Sequence, residues 1–177
     1  YSPSANNIPS RGRLSPFLFK GITFSTGGYS AEYGQALSSV LLLNSISEPQ
    51  EEKTEISIMT VGFGLGNTQK WKKSSLSLNT SYINLAPYQN LYPDNNKWHK
   101  PIESVGGEAV YRYKFNNDGL LKVYGAYSSA NFDLTQEDIN VADGIRFGLK
   151  NRNLYINTSY QDFLEKDWSI ATGVSFA

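Results

Sequence analysis

The residues that could do chemistry are few and scattered. His99 is the single histidine, and one imidazole in a loop supplies neither a triad nor a metal site. Gly62-Phe63-Gly64-Leu65-Gly66 has the glycine density of a phosphate cradle. No Lys and no helical pattern follow it, so strand glycines are the better account. Asp133, Glu137, Asp138 and Asp143 gather acids without the ligand spacing of a calcium loop. Asn79-Thr80-Ser81 and Asn157-Thr158-Ser159 match the glycosylation sequon but fall inside strand patterns. There is no cysteine, so disulfides and thiolate metal sites are out. No nucleophile stands at a useful spacing from a base, and neither an enzyme, a metal nor a cofactor is expected. What remains is aromatic. Tyr88, Tyr92 and Trp98 lie in Ala86–Val105 among Pro87, Pro93 and Pro101. Rings on a proline-stiffened loop suit stacking on a ligand or sugar, or packing of the loop on its own support.

The elements that would carry these rings follow from composition and alternation. The chain has 177 residues, with 12 Tyr, 9 Phe and 15 Gly. Its 16 Lys and Arg balance 16 Asp and Glu, which argues against a nucleic-acid partner, since that needs a basic face. No apolar run is long enough for a membrane-crossing helix, but strands need only about ten residues and alternate in polarity. Such alternation is plain. Leu76, Leu78, Thr80 and Tyr82 oppose Ser75, Ser77, Asn79 and Ser81; Ala109, Tyr111, Tyr113 and Phe115 oppose Glu108, Arg112 and Lys114. Leu121, Val123 and Tyr127 oppose Lys122, Tyr124 and Ser128, and Leu154, Ile156 and Tyr160 oppose Tyr155, Asn157 and Ser159. Trp168, Ile170, Val174 and Phe176 oppose Ser169, Ala171, Gly173 and Ser175. Successive period-two strands without a helical pattern between them predict an all-β antiparallel meander.

One apolar face per strand fits a soluble sandwich core or lipid around a barrel. Small residues and Asn dominate the polar faces, where a soluble surface would carry Lys and Glu. Aromatics (Trp71, Tyr82, Phe132, Tyr160, Trp168) cluster towards strand ends, as an interfacial girdle requires. Short connections are expected at Asn67–Lys70, Asn116–Gly119 and Asp162–Asp167, and long ones at Ala86–Val105 and Asp133–Gly144. Lipid is therefore favoured. In Thr54–Leu65 the apolar set shifts from Ile56 and Ile58 to Met59, Val61, Phe63 and Leu65, which predicts a bulge between Ile58 and Met59.

Upstream, Ser25–Ser45 reads STGGYSAEYGQALSSVLLLNS. The step Gly27-Gly28-Tyr29-Ser30-Ala31-Glu32-Tyr33-Gly34, followed by Leu37-Ser38-Ser39-Val40, resembles the end of the plug domain of TonB-dependent outer-membrane transporters of the Bacteroidetes type. It departs from many of those receptors in ending Leu-Leu-Asn-Ser rather than Asn-Ile-x-Thr-Lys. The strands after Lys53 resemble by pattern the opening of the enclosing barrel. The resemblance implies plug-motif residues Gly27, Gly28, Ala31, Glu32, Tyr33 and Gly34, and a cell outer membrane location. It also implies import of a scarce solute such as a ferric chelate, cobalamin, a glycan or a peptide. Implied partners are outer-membrane lipid, the TonB machinery acting through a segment N-terminal to this chain, and a surface lipoprotein.

The expected organisation is thus residues 1–47 as the C-terminal part of a plug, 48–53 as an acidic linker, and 54–177 as about six strands of a transmembrane β-barrel. Tyr1–Ser10 lacks the apolar core of a signal peptide, and a truncated chain is expected. A plug leaving on the periplasmic side should send its first strand outward, whereas the expected loop lengths make Thr54–Gly66 run inward. Either Asn67–Lys70 is a short external loop or an earlier strand lies upstream. The alternative from a different class is an extracellular β-sandwich adhesin or carbohydrate-binding module.

Overall fold

Alternating strands this close together pair with their sequence neighbours, because a hairpin closes at the lowest entropic cost. The computed structural model describes residues 18–28, 40–45, 48–93, 96–115, 119–138, 141–164 and 168–177. It divides into two compact units, Tyr1–Ser47 and Glu48–Ala177. In the first, β1 (Phe19–Ser25) and β2 (Val40–Ser45) form an antiparallel pair with Ile22 opposite Leu43. β1 ends where Ser25 Oγ donates to the Gly27 carbonyl at 2.8 Å. Gly28 follows with φ 68°, a conformation that costs any L side chain.

The second unit is a single antiparallel meander of seven strands in sequence order. These are β3 (Lys53–Met59), β4 (Gly62–Lys70), β5 (Ser74–Asn84), β6 (Lys97–Lys114), β7 (Leu120–Asp138), β8 (Val141–Leu164) and β9 (Trp168–Phe176). A short helix, α1 (Ala86–Leu91), lies between β5 and β6. Pro87 suits its first turn, where a missing N–H is harmless, and Asn84 Oδ1 accepts the Ala86 N–H at 2.9 Å.

Several expectations need correction. The shift of the apolar set near Ile58 is a hairpin, not a bulge. Met59 pairs with Gly62, and Thr60–Val61 is a two-residue turn. Its position is pinned by the Asn84 N–H donating to the Val61 carbonyl at 2.7 Å. Asn67–Lys70, expected as a turn, lies inside β4, and the reversal comes at 71–73 with the Trp71 N–H donating to the Ser74 carbonyl. The unit therefore has seven strands where about six were expected. The long connections are largely ordered. Ala86–Val105 contains α1 and the start of β6, and Asp133–Gly144 is mostly β7 and β8. Acidic residues there made the sequence look like a loop, but cross-strand pairing with basic partners supports a ladder. Loop length accordingly does not distinguish the two ends of the sheet; strand length does. β6, β7 and β8 run 18, 19 and 24 residues, so at the end carrying turn 60–61 and helix α1 they project well beyond the other strands. β3 starts at the opposite end, level with connections 71–73, 115–119 and 165–167.

Register assigns the described side chains of the sheet to its two faces. Ile56, Leu65, Thr80, Gly107, Tyr127 and Leu154 form one continuous row across six strands. The next row is Thr54, Asn67, Leu78, Ala109, Gly125, Ile156 and Phe176. This apolar face is exposed: Ile58 is 86% and Val174 74% accessible. The opposite face is small and polar, and it holds the buried residues Thr68, Ser75, Ser77, Glu108 and Arg112. Among the described residues the buried hydrophobics are only Leu18, Val110 and Leu134. A water-soluble sheet buries its apolar face; here the distribution is inverted.

Candidate functional site

Three places hold side chains that could act on something. The first is the small-residue face. Thr68, Ser77, Val110, Tyr124, Asn157 and Ser175 share one row, and Ser75, Arg112, Lys122 and Ser159 share its neighbour. Arg112 Nη1 donates to Ser77 Oγ at 2.9 Å, and Thr68 Oγ1 donates to the same oxygen at 3.0 Å. The Tyr124 hydroxyl donates to Glu108 Oε1 at 2.9 Å, with the Tyr155 ring 5.9 Å away. Strand alternation places these groups on one face, and small neighbours give the long ones room to lie across the sheet. The result is a hydrogen-bonded polar lattice with charge at Glu108, Arg112 and Lys122. The sequence carried this signal, since charges recur on the polar face of adjacent strands. It was legible strand by strand, but the coupling between strands needed the register.

The second place is the end where the long strands project. Tyr88 and Tyr92, expected on a ligand-contacting loop, are brought together by α1: their ring centroids are 5.2 Å apart and both are exposed. The spacing of four along one helical turn does this, and the Tyr92 N–H donates to the Tyr88 carbonyl. Trp98 does not join them. It belongs to β6 and pairs with Leu134 of β7, on the same face as Phe132, Phe147 and Leu149. Phe132, expected in a girdle, is therefore on the small-residue side and above it. His99 Nε2 lies 3.0 Å from Thr135 Oγ1. Asp133 takes two hydrogen bonds from Arg146, at 2.9 and 2.6 Å. This holds its carboxyl below the usual aspartate range, and the Arg146 guanidinium is raised by the same contact. Among the described residues, no group of three or more His, Cys, Asp or Glu could hold a metal.

The third place is the glycine step. Gly27 and Gly28 are described, and a Cβ at either would meet nothing within 4 Å. The demand at Gly28 is conformational, not steric. Ala31, Glu32, Tyr33 and Gly34 lie outside the described residues.

Aromatic rings border the apolar face at both ends. Near connections 71–73, 115–119 and 165–167, Phe115 lies 4.9 Å from Tyr113 and 5.7 Å from Tyr160, ring to ring, and Trp168 is close in register at Leu164. The Tyr160 hydroxyl donates to Asp162 Oδ2 at 2.8 Å. Towards the other end, Phe63 and Tyr82 are 5.7 Å apart, and the Tyr82 hydroxyl donates to Glu103. No protein-family model, curated protein or solved structure matches the chain.

Proposed function

We propose that residues 48–177 are part of the wall of a transmembrane β-barrel in an outer membrane. The whole protein would be a TonB-dependent transporter, with the first unit as the end of its plug. One observation carries the barrel: an apolar face exposed across seven strands, rimmed by aromatics, backing onto a small polar face that holds buried Glu108 and Arg112. Outer-membrane barrels present an apolar band of about 25 Å between aromatic girdles, around a polar interior. From Phe115 to Val105, β6 spans roughly 33 Å along the strand, which a tilt of about 40° reduces to that height. A β-sandwich adhesin would need a second layer over this face, and the apolar rows are uncovered.

The hairpin at Thr60–Val61 also supports an outward first strand. β3 starts at the end away from the projecting strand tips, so a plug leaving on the periplasmic side would send it outward. The projecting ends of β6–β8, with Tyr88 on α1 and Tyr92 just after it, would then lie outside the cell, where a solute is first met. The Gly27–Gly34 step supports the transporter class by resemblance; the solute stays at the level of a scarce ferric chelate, cobalamin, glycan or peptide. An open sheet with two free edges and a bare apolar face should not survive alone in water. The test is the chain itself. It should need detergent or lipid to remain monomeric, and a cooperative melt of monomer in detergent-free buffer would overturn the proposal.

A further inference from the structure

The apolar face does not continue to the tips of the long strands; it ends abruptly and turns basic. Along β8 the side chains on this face are Tyr160, Thr158, Ile156 and Leu154, then Arg152 and Lys150, then Gly148 and Arg146. On β7 the change comes at the same level, where Tyr127 gives way to Ser129 and Asn131, the partners of Arg152 and Lys150. Arg152 and Lys150 are both exposed and about 7 Å apart along the strand. Neither forms an ion pair with a described residue. Of the nearby carboxylates, Asp133 is paired with Arg146, whereas Glu103 accepts from the Tyr82 hydroxyl and keeps its charge, one negative charge against the two of Lys150 and Arg152. The chain as a whole has no net charge, so this excess is local to the rim.

We infer that Lys150 and Arg152 form a binding site for the phosphate of an anionic lipid headgroup at the outer rim of the belt. This rests on the barrel proposed above. Leu154 and Ile156, directly below in the same column, would contact the acyl chains of the lipid whose headgroup the two cations hold. A free phosphate would gain nothing from that column, which is why the occupant is a lipid. Two long side chains with exposed heads can reach one phosphate from adjacent same-face positions, and each basic residue near an anionic surface strengthens binding roughly fivefold.

The complete barrel would be reconstituted into vesicles of phosphatidylcholine, with and without a minor fraction of phosphatidic acid. Phosphatidic acid retained per barrel after release would be read by native mass spectrometry. The pair Lys150→Gln and Arg152→Gln should weaken retention about thirtyfold, leaving phosphatidylcholine retention and insertion unchanged. Equal retention by wild type and variant, with both inserted, overturns this inference alone. Displacement of the lipid by inorganic phosphate at comparable concentration overturns the lipid assignment. Failure of wild type to insert in either vesicle overturns the barrel itself, and the inference with it.

Discussion

Leu78 and Asn79 are neighbours in β5 but face opposite ways, and placing Arg at each in turn separates the two environments. Leu78 lies on the apolar face between Asn67 and Ala109 and is 42% exposed. On a lipid-facing surface, Arg near the midplane costs about 2–4 kcal/mol. At 1.4 kcal/mol per decade, that is a loss of roughly 30- to 700-fold in the folding equilibrium. Asn79 lies opposite Glu108 on the small-residue face, so Asn79→Arg meets a carboxylate and should cost less than about 1 kcal/mol. On a water-exposed surface both changes would fall within about 0.5 kcal/mol of neutral. Urea unfolding of the complete barrel in lipid vesicles measures both. Equal effects at 78 and 79 would refute the assignment of faces.

Other consequences are as direct. A Cβ at Gly62 would overlap the Tyr82 carbonyl oxygen, so Gly62→Ala should open the β3–β4 hairpin; faster amide exchange at Met59 and Asn84 than in the rest of the sheet checks this. Arg112→Met removes the donor to Ser77 on the small-residue face, and loss of about 1–3 kcal/mol is expected in the same unfolding assay. The Asp133 carboxyl is depressed by Arg146. Its contribution is therefore full above the unfolded aspartate pKa of about 3.9 and is lost as pH falls through the lower folded value. Amide exchange at the β7–β8 tip should accelerate below about pH 4, and Asp133→Asn should abolish that dependence. Gly28→Val in the complete protein should strain a φ of 68° by about 1–2 kcal/mol. If the step belongs to a plug, large antibiotics should enter more readily while the barrel still assembles.

The faces of β5 to β9 were legible because side-chain direction in a strand depends only on parity, which any sequence displays. Turns were less legible. Thr60 and Val61 include no Gly, Pro, Asn or Asp, so nothing local announced a reversal; the parity shift was visible, but a bulge produces the same shift. The stretch Asp133–Gly144 failed for the opposite reason. Its acids suggested a loop, whereas Arg146 across the ladder neutralises Asp133 and lets the strand continue. Proximity in sequence groups Trp98 with Tyr88 and Tyr92. Only the register, with its shift between Trp98 and Lys100, sends it to the side of Leu134. The polar lattice of Thr68, Ser77 and Arg112 spans three strands, and no single-strand pattern could reveal it.

The central claim is that the apolar face of this sheet meets lipid and its small-residue face meets water. Spin labels at Ile156 and Asn157, adjacent in an interior strand, test it directly once the complete barrel is in vesicles. The label at 156 should be relaxed mainly by lipid-soluble oxygen, and the label at 157 mainly by a water-soluble nickel chelate. Equal accessibility of the two positions to both quenchers, or the reverse preference, would contradict the account.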